Sequence, residues 1–122
     1  MSCIDCIERD GSRVINMYAE CGIQFRSNVV TGIDSVIPLH EHSYDHVALV
    51  TQGIFEVETE SPDGARERFV MGAPDLGSTR SIGNRITIPK YYKHKFTLIH
   101  ARDDEIGEVL CMWGDGWIER GE

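Results

Sequence analysis

No stretch of this 122-residue chain approaches the roughly 20 consecutive apolar residues that a membrane-spanning helix needs. The opening Met-Ser-Cys-Ile-Asp-Cys lacks the basic and apolar regions of a secretory leader. Basic charge is scarce: 12 Lys and Arg stand against 20 Asp and Glu, a formal net charge of −8. DNA, RNA and anionic lipid are held through basic surfaces, so nucleic-acid and membrane partners are not expected, and the expected compartment is the cytoplasm. Cysteine is limited to Cys3, Cys6, Cys21 and Cys111. Cys3-x-x-Cys6 has no second C-x-x-C and no strand–helix setting, which argues against a zinc ribbon or a thioredoxin-type pair and for free thiols. No helical segment stands out beyond a short turn, and no internal repeat is present. What remains is an ordinary apolar content, 41%, in a chain long enough for one domain with a core of its own, residues 1–122.

Against this background the histidines stand out. Three of five fall within Pro38-Leu-His40-Glu-His42-Ser-Tyr-Asp-His46. On an extended strand His40 and His42 share a face. Ser43, Tyr44 and Asp45 suit a bend, and the apolar run 47–50, stopped at Gly53, reads as a buried returning strand. A strand, a bend and a second strand aim three imidazoles at one point, a metal-site arrangement.

The rest of the chain reads as short strands. Residues 1–12 form a lead-in and turn, 13–19 and 23–30 are strands around Gly22, and 36–42 is the strand carrying the first histidines. Pro38 fits only an edge, a strand start or an irregularity. Phe55, Val57 and Thr59 alternate with Glu56, Glu58 and Glu60, giving a strand with one acidic, wet face. Ser61-Pro62-Asp63-Gly64 is a turn, and 66–71 returns as its hairpin partner. Residues 72–84 hold no firm element beyond one short strand, with Gly83-Asn84 as a tight turn. Further strands follow at 85–88, 93–101 and 108–113, with a polar turn at 103–105 and an end at Gly114. Many short strands separated by Gly and Pro turns indicate an all-β barrel or jelly roll.

The two halves of the site together resemble the paired motifs of the cupin superfamily. His40-x-His42, three residues, His46, six residues, Gly53 follows the first motif, segment 40–53, with His46 where a Glu is usual. Gly32 stands two residues ahead of the place of that motif's opening Gly, which suggests a small insertion or bulge. Gly83, five residues, Pro89 and then His94 follow the second motif, segment 83–98, with Tyr91 replacing a Gly and Leu98 an Asn. The resemblance covers residues 36–98. It implies a double-stranded β-helix (jelly-roll) barrel holding one metal through His40, His42, His46 and His94. It leaves the reaction open, since cupins include dioxygenases, isomerases, decarboxylases, lyases, storage proteins and sensor domains.

The chemistry of the residues narrows the expectation. Neutral imidazoles suit a divalent transition metal, iron first, with Ni, Zn, Mn or Cu as alternatives, and disfavour Mg and Ca. With no carboxylate ligand the metal keeps its full charge, which favours a small anionic or enolisable substrate. Four ligands leave two positions in six-coordinate geometry. The expected function is therefore a metal-dependent enzyme on a small organic molecule, of dioxygenase type first and isomerase or lyase type second. The alternative is a non-catalytic module that binds a metal or small ligand. Tyr44 and Tyr92 are candidate hydrogen-bond donors in the pocket, Tyr92 being preferred to Tyr91 because it shares a face with His94. Glu41 and Asp45 are expected to point away from the metal or to accept an imidazole N–H. His100 lies roughly 20 Å along the strand from His94 and is excluded as a ligand. A homodimer is expected, with residues 13–30 at its interface, because small open barrels have edges to cover.

Overall fold

The computed structural model describes residues 6–10, 13–72, 80–103 and 105–114. Its ten strands form two antiparallel sheets, with no helix among the described residues. The larger sheet runs β1 (Cys6–Asp10), β2 (Arg13–Glu20), β3 (Ile23–Thr31), β10 (Ile106–Gly114), β5 (His46–Gln52) and β8 (Arg85–Ile88). The smaller runs β4 (Val36–His40), β9 (Lys93–His100), β6 (Ile54–Glu60) and β7 (Arg66–Met71).

Turn chemistry sets the register of each pair. Cys21 and Gly22 both have positive φ, 54° and 76°, as a two-residue hairpin turn requires, and they join β2 to β3. The 61–64 turn joins β6 to β7, with Gly64 at φ 91° and the Ser61 hydroxyl bonded to the Asp63 carboxylate. The register places Glu60 opposite Arg66 and Glu58 opposite Arg68. The Arg66–Glu60 pair closes at 2.8 Å, but the arginine side chain is 81% exposed, so the pair adds little stability.

Gly53 has a different task. It alone separates β5 from β6, which belong to different sheets. Its φ is +84°, and a Cβ there would sit 2.8 Å from Leu98 Cδ1 and 3.2 Å from Gly107 Cα. Only glycine fits a corner that is both left-handed and this crowded.

Alternation aims one face of each strand inward. His46, Ala48 and Val50 of β5, His94, Phe96 and Leu98 of β9, and Val109, Cys111 and Trp113 of β10 are all buried. With Val30, Ile37, Phe55, Val57, Phe69, Met71 and Ile88 they fill the space between the sheets.

The structure changes three expectations. The lead-in 1–12 contains strand β1, which pairs with β2 along its whole length. Its mixed charge hid an edge strand. The β2–β3 hairpin is therefore interior to the sheet, and the edge argument that assigned a dimer contact to 13–30 moves to β1. The strand expected over 36–42 stops at His40, so His42 projects from a loop. β7 also buries Phe69, Val70 and Met71 in succession, and residues 80–82 run alongside it, hydrogen-bonded to both the N–H and the carbonyl of Val70. Cys3, the notional strand within 72–84 (at residues 73–79) and residues 115–116 beyond Gly114 lie outside the described residues, as do the side chain of Cys6 and the placement of Asp104.

Candidate metal centre

Two sheets and one loop deliver the histidines. His40 ends β4 directly opposite His94 of β9. Between them and the preceding pair, Ile37 and Phe96, β4 carries one residue more than β9. This bulge contains Pro38, on an edge strand where its missing N–H costs no ladder bond. His46 opens β5 in the other sheet, opposite Ile88. His42 is carried by the loop between them, which is pinned by two bonds. Tyr91 N–H donates to the His42 carbonyl at 2.7 Å, and Lys90 N–H donates to the exposed Asp45 carboxylate at 2.8 Å. Glu41 is exposed.

The four rings converge. His40 and His94 have centroids 4.0 Å apart, His40 and His42 4.8 Å, and His42 and His94 5.4 Å. Each of these three offers a ring nitrogen within 4.8 Å of the others. His46 lies outside that tighter group, but its ring is 5.1 Å from His42 and 5.0 Å from His94.

Hydrogen bonding assigns the free nitrogens. His40 Nδ1 meets the Pro38 carbonyl at 2.6 Å and His94 Nδ1 the Tyr92 carbonyl at 3.0 Å. Each Nδ1 carries the proton, because a carbonyl only accepts, so Nε2 of both rings presents a lone pair. His94 Nε2 is buried without a partner, and so are both nitrogens of His46. Burying such atoms unpaired costs about 1–3 kcal/mol each.

Electrostatics keep the rings neutral. Burial foremost, then mutual repulsion, pushes His42 down to about 3 and His46 to about 2. His94 falls to about 4, chiefly from burial and the charge of His40, against the opposing bond to Tyr92. His40 is also lowered by burial, in part offset by its bond to Pro38. Neutral imidazoles with free Nε2 lone pairs are the form a transition metal binds.

The neighbouring groups divide in role. Tyr44 stacks on His42 at 4.9 Å and on Trp113 at 4.7 Å, and burial raises its hydroxyl to about 12, so it stays a proton donor. Tyr92 packs its ring on the core and gives its backbone carbonyl to His94. Tyr91 is exposed and holds φ +65°, a left-handed conformation that glycine adopts without strain. His100 lines a cavity of about 720 Å³ beside Gly53 that includes none of the four clustered histidines. Cys111 is buried, with its thiol raised to about 12, and is no thiolate ligand at neutral pH.

Arg26 was not singled out from the sequence. It lies on the inward face of β3, in register with Met17 and Cys111, and its positive charge is felt by all four histidines and by Tyr44. The readable signal was parity with Val30: every second residue back from that core position is Asn28, Arg26 and Gln24.

Neither family sequence models nor curated proteins give a match to this chain. Solved structures do. A four-residue mutant of Bacillus subtilis oxalate decarboxylase superposes with a TM-score of 0.71 at 13% identity, over 96% of this chain and 29% of the other. A structure from work on the Mn(II) centres of the same enzyme gives 0.69 at 12%, over 96% and 29%. The formate complex of Lactobacillus farciminis oxalate decarboxylase gives 0.69 at 11%, over 90% and 30%. The chain thus spans under a third of the length of those enzymes, and identities this low speak for the fold alone. Two facing antiparallel sheets, a glycine corner and histidines at both motifs of the barrel agree with that likeness: this chain has the cupin fold.

Proposed function

We propose that the chain is a metal-dependent enzyme that binds one divalent transition metal through His40, His42, His46 and His94 and acts on a small organic acid or enolisable molecule. The observation that carries this reading is the set of buried ring nitrogens without partners, Nε2 of His94 and both nitrogens of His46, facing His42 across 5.1–5.4 Å between ring centroids. A metal offsets their desolvation, and no other group among the described residues does. When bound, it would polarise a substrate oxygen. The chain's own contribution is to hold the rings by the carbonyls of Pro38 and Tyr92, and to offer the protonated Tyr44 hydroxyl beside His42.

Oxygen-dependent cleavage with iron is the first chemistry to test. Isomerase or lyase chemistry is second, with manganese as the metal to try, because the fold's neighbours are decarboxylases and the Bacillus subtilis one has Mn(II) centres. A homodimer through a sheet edge belongs to the same proposal. The test is metal analysis of protein purified without a nickel column, followed by titration of His46→Ala, His94→Ala and His100→Ala. The first two should lose metal affinity at least tenfold, on the scale known for disturbed metal sites, and the third should bind as wild type. Equal affinities across the three would sink the assignment.

The absence of a general base beside the rings favours a second reading, a non-catalytic metal or ligand carrier. Tyr44 does not ionise near neutrality, and no acidic side chain joins the histidine cluster among the described residues. Oxygen uptake with Fe(II) across β-diketones, thiols and catechols separates the two.

A further inference from the structure

The inward face of β3 is unusual for a barrel wall. Buried Val30 marks that face, and two residues back along it stands Asn28, 2% exposed, with Oδ1 unpartnered. Two residues further stands Arg26. Its cross-strand neighbours are Met17, 7% exposed, and Cys111, 7% exposed, so no acid lies opposite it. Its Nε–H is fully buried and has no hydrogen-bond partner among the described residues. A guanidinium cannot shed its charge to escape this cost, as a buried lysine or histidine can. Nor does a glutamate among the described residues pair with it. Glu108 points to the opposite face, where Ser27 and Thr51 hydrogen-bond it, and Glu56, Glu58 and Glu60 pair with Arg68, Lys95 and Arg66 on the outer surface. Arg26 also opposes the histidine centre, since a fixed positive charge disfavours a metal cation beside it. A half-buried guanidinium whose Nε–H is unpaired, and which helps neither core nor metal, is explained by an anion that both attract.

We propose that Arg26 anchors the carboxylate of a small organic acid inside the barrel, so that the acid bridges this guanidinium and the histidine centre. The planar fork of arginine matches a carboxylate with two parallel hydrogen bonds, and the apolar flanks formed by Met17 and Cys111 exclude water that would weaken them. The anchor rests on the metal reading only for the position of the acid's other end.

Pyruvate and its uncharged amide, pyruvamide, are the probes, titrated by calorimetry into full-length protein loaded with Mn(II) and into chelator-treated protein. The wild type should prefer pyruvate at least tenfold. Arg26→Gln should abolish that preference while binding Mn(II) as well as or better than wild type, because a like charge has gone. Arg26→Lys, which keeps the charge and loses the fork, should fall between them. Arg26→Met should melt no lower than wild type, since apolar replacement of a buried charge is often neutral or stabilising, whereas a purely structural arginine would lower the melt. If Arg26→Gln and Arg26→Met fail to fold, Arg26→Lys decides: weaker pyruvate binding with a normal melt supports the anchor, and unchanged binding overturns it. Pyruvate bound equally by wild type and Arg26→Gln, or no better than pyruvamide by the wild type, overturns it as well. Arginine-dependent pyruvate binding in a protein that takes no metal would keep the anchor and discard the metal reading.

Discussion

The two ends of the barrel are built from the same strands and differ in what those strands point inward. Along β9 the inward residues run His94, Phe96, Leu98; along β5, His46, Ala48, Val50; along β3, Arg26, Asn28, Val30. One end therefore collects imidazoles and a guanidinium, and the other collects Val30, Val50, Phe55, Leu98 and Val109, packed against Gly53 and Gly107. The apolar end gains free energy by leaving water, about 25 cal/mol per Å². The polar end loses it, through unpaired nitrogens. The difference teaches that the site is sustained by the far half of its own strands, and each half can be disturbed separately.

The largest effect is expected at the apolar end. Phe55 is fully buried, edge-on to Phe96 with centroids 6.2 Å apart. Phe55→Ala should cost about 3–5 kcal/mol in urea unfolding, enough to threaten the whole domain. A loss below about 1 kcal/mol would mean that the two ends do not share one cooperative fold.

A smaller effect, opposite in kind, belongs to the polar end and depends on pH. The folded histidines titrate below the unfolded value of about 6.5. Below that value the unfolded chain takes up protons that the folded one refuses. Stability is therefore fully present above about pH 6.5 and declines as pH falls toward the folded values, by at most roughly 1.4 kcal/mol per pH unit for each ring. His40 and His42 contribute less than this, being partly solvent-screened. Metal-free wild type should melt well lower at pH 5.5 than at pH 7.5. Metal-free His46→Leu should melt higher than wild type at both and lose less between them, since the orphaned nitrogens are gone. A His46→Leu melt below wild type would show that His46 is supported in some other way. With metal, the gap between loaded and metal-free melts should shrink at pH 5.5, because protons compete for the same nitrogens.

The smallest effect concerns the turn between β8 and β9, whose Tyr91 N–H is bonded to the His42 carbonyl. Tyr91 has φ +65° and is exposed, so little packing offsets its strain. A side chain in the left-handed region costs roughly 1–2 kcal/mol, and glycine's greater freedom when unfolded returns part of that. Tyr91→Gly should therefore stabilise by about 0.5–1 kcal/mol and leave metal affinity unchanged. Weaker metal binding would show that the Tyr91 side chain helps hold the His42 loop.

Much of this was legible in the residues. The 61–64 turn, the hairpin partner at 66–71, the strand at 85–88 ended by Pro89 and the corner at Gly53 all sit where their local chemistry puts them. Such signals are short-range: a proline fixes φ, a glycine accepts positive φ, and alternation needs only one strand. β1 was missed because its residues carry mixed charge and no alternation, and an edge strand needs neither to pair. Three consecutive buried residues in β7 are not legible locally, since the segment that pairs with Val70, residues 80–82, lies ten positions on.

The sequence by itself determined the all-β character, the turns and the four histidines at their paired spacing, because periodicity and turn preference act within a few residues. Only the tertiary structure decided the rest. It set which sheet each strand joined, that His42 stands on a loop rather than a strand, that Pro38 and Tyr92 fix two tautomers, and that Arg26 stands between Met17 and Cys111 with its Nε–H unpaired. Those facts depend on residues tens of positions apart being brought within hydrogen-bond and Coulomb range. Burial of the apolar end of the barrel achieves that, and no local preference encodes it.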